Sequence, residues 1–346
     1  MTDSKIPLIG KTLEDLQLIA AESGMPRFAA KQIADWLYVK RVTDINAMTN
    51  LSKTAREKLS QKYTVGRIEP VECYRSSDGT AKYIFPGVPG RNIEAVMIPD
   101  KERATLCVSC QAGCRMNCAF CMTGRNGFDG NLTSAQIMNQ ILSVDESERL
   151  TNIVFMGMGE PTDNLDAVLS TIEILTAPWG LAWSPKRITV STIGNIAGLK
   201  RLLDETKVHI AVSVHTPFAE ERKEIMPVEK AWSVADVMNL LRQYDFTGQR
   251  RLSVEYTMWA GKNDDMRHAR ALARLLRDTH ARVNLIRFHK IPGFDGKTAS
   301  ENAMVEFRDA LNSLGITATI RASRGEDIMA ACGMLAGKSK NNGGTQ

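Results

Sequence analysis

Eight short apolar runs recur between residues 93 and 323: IEAVMIP, RATLCVS, NIVFMGMG, RITVSTIG, HIAVSVH, LSVEYTMW, VNLIRFH and TATIRAS. Amphipathic stretches of roughly ten to seventeen residues, such as SAQIMNQILSVDESERL and DDMRHARALARLLRD, separate most of the later ones. Strand-length runs alternating with helix-length segments predict an α/β chain with a parallel sheet of βα units. In a barrel-like arrangement the working residues stand where strands give way to loops. Polar residues stand there: Gly159-Glu160, Ser191-Thr192, Ser213 with His215, and His289.

The first part of the chain has another rhythm. TLEDLQLIAAESG, AAKQIADWLYVK and SKTAREKLSQKY read as helices, and PVECYRSSDGTAKYIFP as a hairpin turning at Asp78-Gly79. Between Arg27 and Arg67 nine Lys or Arg face three Asp or Glu. Such an excess is either a solvated face of a small helical bundle or a surface that meets phosphates. The expected division is an N-terminal helical unit with a small hairpin over 1–90, a barrel-like βα region over 91–337, and a disordered, Gly-rich tail over 338–346.

Five of the seven cysteines fall within CVSCQAGCRMNCAFC, residues 107–121. No apolar run has the roughly 18 residues of a membrane span, and the N-terminus lacks a secretory pattern. The expected compartment is therefore cytoplasmic, without a membrane partner, where clustered thiols bind metals or react rather than form staples. Net charge +5 permits a polyanionic partner without demanding one. Two parses of the cysteines are open. Cys107, Cys110, Cys118 and Cys121 make two C-x-x-C pairs, as in a zinc knot, although only seven residues separate the pairs. Alternatively Cys114-x-x-x-Cys118-x-x-Cys121 holds three irons of a 4Fe–4S cluster and leaves the fourth iron open to a substrate.

The second parse, placed after a barrel-type strand, resembles the radical S-adenosylmethionine (SAM) superfamily, and FMGMGEP occupies the place of its SAM-ammonium motif. ATLCVSCQAGCRMNCAFCMTGRNGFDGNLT, RGEDIMAACGMLAG and FAAKQIADWLYVKRVTDINAMTNLSKTAREKL resemble three segments of the RlmN/Cfr family of radical SAM RNA methyltransferases. The resemblance covers roughly residues 10–337. It implies a partial (βα)6 radical-SAM barrel with an N-terminal helical accessory domain. It also implies one 4Fe–4S cluster on Cys114, Cys118 and Cys121, a methyl-carrying Cys332, a resolving Cys107 and a general base at Glu94. Gly159, Glu160, Ser191, Ser213, Val214, His215 and His289 would form the SAM shell, with His289 standing where many members have asparagine. Cys110 stands where most members have serine and receives no role. Cys73 reads as an ordinary strand residue.

The implied activity is methylation of carbon 2 of adenosine in 23S rRNA, and in tRNA, with two SAM molecules consumed per turnover. Carbon 2 has no lone pair to attack a sulfonium, so one SAM methylates the Cys332 thiolate. Reductive cleavage of a second SAM then yields a radical that takes hydrogen from that methyl group. The carbon radical adds to the base, and attack by Cys107 on the Cys332 sulfur frees the product and leaves a disulfide for external reductant. Flavodoxin or ferredoxin would supply electrons, and a monomer is expected. Methylation at carbon 8, a glycyl-radical activase and a zinc-bearing RNA-binding module are the rival readings.

Overall fold

The fold is that of a computed structural model, which describes residues 5–336. The tail expected at 338–346 lies outside the described residues. The N-terminal unit comprises β1 (Ile6–Pro7), α1 (Leu13–Glu22), α2 (Ala29–Ala34), α3 (Lys53–Lys62) and β2 (Tyr63–Thr64). Thr12 caps α1 in a reciprocal box with Asp15, and Ser52 caps α3, so both helices start where a side-chain oxygen takes an orphan amide. Leu16, Ile19, Ala30, Ile33 and Leu59 form the apolar seam between these helices. Of the nine basic residues counted above, Arg56 and Arg67 spend their guanidinium groups on backbone carbonyls, whereas Arg27, Lys31, Lys40, Lys53, Lys58 and Lys62 stay exposed.

A hairpin of β3 (Glu72–Arg75) and β4 (Ala81–Pro86) leads into β5 (Asn92–Asp100) and β6 (Arg103–Cys107), all antiparallel. The sequence division at residue 90 grouped this hairpin with the helices. Its ladder puts it on the main sheet, where β4 pairs with β5 from Ala81↔Met97 to Pro86↔Asn92. A small ribbon of β7 (Gln111–Gly113) and β8 (Phe128–Asn131) brackets α4 (Met122–Arg125), and α5 (Ser134–Ser143) follows.

The βα rhythm then runs through β9 (Asn152–Phe155), α6 (Leu165–Thr176), β10 (Ile188–Thr192), α7 (Ile196–Glu205) and β11 (His209–Ser213). It continues with α8 (Ala219–Ile225), α9 (Val234–Leu241), β12 (Leu252–Met258), α10 (Met266–Leu275), β13 (Arg282–Arg287), α11 (Glu301–Ser313) and β14 (Ala318–Ile320). The ten-stranded order β14-β13-β12-β11-β10-β9-β6-β5-β4-β3 is parallel from β6 to β14 and antiparallel beyond. Six parallel strands each lead to a helix, which makes the partial (βα)6 barrel, and β14 adds a seventh strand at the edge.

Side chains alternate across this sheet. On β12, Leu252, Val254, Tyr256 and Met258 are buried on one face, with Tyr256 stacked on Phe307 of α11. Ser253, Glu255 and Thr257 share the other face, as the two-residue period requires. The helical side of the sheet is therefore the apolar core, and the concave side is polar enough to hold a ligand.

The N-terminal unit docks on α5. Asn139 bonds both the N–H and the C=O of Ile68 at 2.8 and 2.9 Å, and Ser134 Oγ donates to Gly10 at 2.8 Å. Gly10 sits at φ +78°, and a Cβ there would lie 2.2 Å from the Ala135 nitrogen. Gly10→Ala should therefore cost about 2–4 kcal/mol in urea unfolding; a change within about 0.5 kcal/mol would contradict this docking.

Candidate active site

The parallel strands end on one rim, and a cavity of about 180 Å³ opens there. Cys114, Cys118 and Cys121 line it together with Gly159, Glu160, Ser191, Ser213, His215, His289 and Cys332. Ten of the thirteen residues singled out in the sequence thus share one wall. Cys107, Glu94 and Val214 do not.

The three thiols occupy the loop between β7 and α4. Gly113, at φ +80°, lets the loop turn against Gly127, whose carbonyl would lie 2.0 Å from an added Cβ and instead accepts the Cys114 N–H at 2.8 Å. Cys118 packs among Ile193, Met226 and Val228. Burial pushes the Cys114 thiol up to about 12 and Cys118 well above its ordinary value; neighbouring Arg222 opposes the shift at Cys118. Among the described residues no three His, Cys, Asp or Glu side chains converge on a point that would suit a single metal ion. A four-iron cluster makes no such demand, because each thiolate binds a different iron. Cys118 is buried and Cys114 and Cys121 are half-buried on the same loop; a bound metal ionises such thiols outright, so this donor set fits such a cluster.

Glu160 lies at the cavity floor, 3% exposed. Its Oε1 accepts from Thr162 N, Thr162 Oγ1 and Thr192 Oγ1 at 3.1, 2.6 and 2.6 Å, and its Oε2 accepts from Ile193 N at 3.1 Å. Burial raises its pKa and the four donors pull it back. Oε2 retains an acceptor site for a further donor, whereas Oε1 is saturated. Gly159 is at φ +101°, and a Cβ there would meet Gln111 at 2.6 Å, so this turn must be glycine.

His215 has φ 61° and is buried. Its Nδ1 accepts the Thr257 N–H at 3.0 Å, so the ring proton resides on Nε2. Its ring meets Phe120 edge-on at 4.7 Å. Burial, and secondarily Arg222, push its pKa down to about 3. Val214 is fully buried; its N–H is bonded to Glu255 O and its carbonyl accepts from Arg222 Nε. His289 reaches the cavity wall, but its Nε2 lies 3.2 Å from Ser323 Oγ and its Nδ1 lies 3.4 Å from Glu326, so both nitrogens face the C-terminal segment.

Cys332 returns from the far end of the chain. It is exposed only in the sense that it opens on this cavity, because protein surrounds it closely enough for burial to raise its pKa, and Glu255 adds to the rise. Cys107 ends β6, buried, with its thiol pushed up to about 12 by burial and then by the neighbouring Cys332. Both thiols are free. Register places Cys107 opposite Val96, so Glu94, two positions along β5, shares its face as a diagonal neighbour. Glu94 is 4% exposed and accepts the Ala336 N–H at 3.1 Å.

Sequence reasoning missed two groups. Glu255 lines the cavity, with Oε1 accepting from Ser253 and Asn284 at 3.0 and 2.8 Å; its signal was the polar alternation Ser253-Glu255-Thr257. Arg222 is fully buried, paired with Glu229 and bonded to the carbonyls of Ile193, Ser213 and Val214. In AEERKEI nothing distinguishes that arginine from its exposed neighbours.

A histidine held neutral by the fold binds fewer protons than it does unfolded, from about pH 6.5 down to 3, so stability falls as pH falls through that window. His215→Asn keeps an acceptor for Thr257 and removes this penalty. Between pH 6.5 and 4 its unfolding free energy should fall by up to about 3 kcal/mol less than that of the parent; parallel pH profiles would contradict the assignment.

Known proteins resemble this chain throughout. Residues 108–276 match the radical SAM superfamily, and residues 6–65 match the ribosomal RNA large subunit methyltransferase N-terminal domain. A probable dual-specificity RNA methyltransferase RlmN of Porphyromonas gingivalis is 55% identical over 334 residues, 96% of this chain and 95% of that one. The dual-specificity RNA methyltransferase RlmN of Bdellovibrio bacteriovorus is 38% identical over 94% of this chain and 82% of its own length. The crystal structure of a radical SAM methyltransferase from Sphaerobacter thermophilus superposes with TM-score 0.89 at 37% identity, covering 96% of this chain and all of that one. With its barrel, its three-cysteine loop and its N-terminal unit all matched, the chain belongs to the RlmN family of radical SAM RNA methyltransferases, whose superfamily uses a 4Fe–4S cluster and SAM.

Proposed function

We propose that this enzyme methylates carbon 2 of adenosine in 23S rRNA and in tRNA through a methyl group carried on Cys332. The supporting observation is that Cys332 faces the same cavity as the three-cysteine loop, while Cys107 and Glu94 share one sheet face beside it. Bound at Cys114, Cys118 and Cys121, a 4Fe–4S cluster with an open iron supplies the reductive cleavage of SAM.

The chain's own residues do the rest. Glu160 Oε2 and the backbone at Gly159 receive the ammonium of SAM, with Ser191 and Ser213 lining its path. His215, neutral with its proton on Nε2, serves as a donor, and Val214 contributes only backbone, just past the end of β11. His289 orients the C-terminal segment through Ser323 and Glu326 and has no free nitrogen for SAM. Cys332 as thiolate accepts a methyl group from one SAM, and a second SAM is consumed in activating that group. The radical adduct gives up one electron, which a cluster held by Cys114, Cys118 and Cys121 would take back, and Glu94 takes the ring proton. The Cys107 thiolate then attacks the Cys332 sulfur, so that the C–S bond breaks as the S–S bond forms and the methylene carbon gains a proton to become the product methyl.

The exposed lysines and Arg27 of the N-terminal unit supply the phosphate-facing surface. A small flavodoxin or ferredoxin provides electrons, and the enzyme works as a cytoplasmic monomer. No helix among the described residues is long and apolar enough to cross a membrane.

Anaerobic incubation with RNA, SAM and reductant, followed by nucleoside mass spectrometry, should yield 2-methyladenosine; 8-methyladenosine or no product would contradict the proposal. Cys107→Ala should accumulate a covalent protein–RNA adduct, seen as a shifted band that ribonuclease trims, and normal multiple turnover would remove its resolving role. Cys114→Ala should lose the cluster absorbance and SAM cleavage together.

A further inference from the structure

The segment carrying Cys332 is held on both sides by one pair of charged side chains. Lys82 on β4 stands opposite Val96 of β5, and Val96 stands opposite Cys107 of β6, so Lys82, Val96 and Cys107 form a row on one sheet face. Lys82 Nζ lies 3.6 Å from Glu94 Oε2, with both side chains largely buried. The same ammonium donates to the Met329 carbonyl at 3.4 Å, three residues before Cys332. Glu94 Oε1 accepts the Ala336 N–H, four residues after Cys332. One ion pair therefore grips the loop at its start and at its end. Before that grip the segment is tied to the hairpin turn through Gly325 and Asp327, and within it the loop is also tied to α4 and the residue after it through Gly333, Leu335 and the Ala336 carbonyl.

We propose that Lys82 is a positioning residue that forms, with Glu94, a clasp keeping Cys332 turned into the cavity until the base has lost its proton. Cys332 needs two placements: one facing the cavity, where its methyl group is activated, and one in bonding reach of Cys107. The structure shows the first. Charge is what makes the clasp firm, because hydrogen bonds and contacts to an ionised carboxylate are about twice as strong as neutral ones. When Glu94 takes the ring proton from the adduct, its carboxylate becomes a carboxylic acid, and its hold on Lys82 and on the Ala336 amide weakens together. The loop is then released toward Cys107 at the step where attack on the Cys332 sulfur is required. One proton passes from the ring carbon to a carboxylate oxygen, and the adduct's unpaired electron leaves separately, to the one-electron acceptor that a cluster held by Cys114, Cys118 and Cys121 would supply. The timing rests on the base role given to Glu94 above, whereas the grip itself rests on the contacts alone.

Hydrogen exchange on the full-length, cluster-loaded protein tests this. In Lys82→Met, amides of residues 330–336 should exchange about tenfold faster while peptides from β10 to β12 keep their parent rates. Diamide should also close the Cys107–Cys332 disulfide about tenfold faster. Lys82→Arg, which keeps the charge, should restore both rates, and Glu94→Gln should accelerate both. Parent-like rates in Lys82→Met or Glu94→Gln, or acceleration spread evenly over the molecule, would overturn the clasp. The base role is read separately: Glu94→Gln should accumulate the RNA adduct. Accumulation with unchanged exchange keeps the base and removes the clasp; faster exchange without accumulation does the reverse.

Discussion

A carboxylate sealed from water must collect donors, and Glu160 collects four of them from three points on the rim. Thr162 belongs to the turn after β9, and Thr192 and Ile193 close β10. The Glu160 amide itself donates to Gln111, just past β6, at 2.9 Å. Gln111 in turn donates to Asn131 and Asp163, both at 2.8 Å. The ends of three neighbouring strands are thereby fixed around one buried charge, and the three-cysteine loop springs from the same Gln111. Loss of that satisfied network would loosen the cysteine loop and the cavity floor together.

The other half of the rim is held by a buried cation. Arg222 gathers the carbonyls after β10 and β11 and pairs with Glu229, which also accepts the first amide of α9. A buried pair of this kind adds little net stability, since desolvation offsets attraction. Its effect is geometric: carbonyls that would otherwise point into the cavity are turned toward the guanidinium. A positive group close to Cys118 also favours the thiolate form there.

Period-two alternation on strands and helical spacing between them made the parallel sheet legible, because both signals are local. The three-cysteine loop was legible for the same reason: its chemistry is written into eight consecutive positions, 114–121. What depends on pairing across the chain was hidden. PVECYRSSDGTAKYIFP reads as a hairpin, but nothing within it tells whether its edge meets β5 or stays with the helices. Arg222 lies in a run of charges, and only tertiary packing separates it from exposed Lys223. Val214 and His289 entered the SAM shell by position, whereas backbone partners and Glu326 claim their polar atoms. Lys82 carries no signal at all until register sets it opposite Val96.

The central claim is that a methyl group on Cys332 lies within reach of the radical made at the three-cysteine loop. Turnover with SAM bearing a trideuterated methyl group tests it most directly. The account predicts one deuterium in the released 5′-deoxyadenosine and two in the methyl group on the RNA. Deuterium-free 5′-deoxyadenosine, with all three deuterons retained on the RNA methyl, would show direct transfer and contradict it.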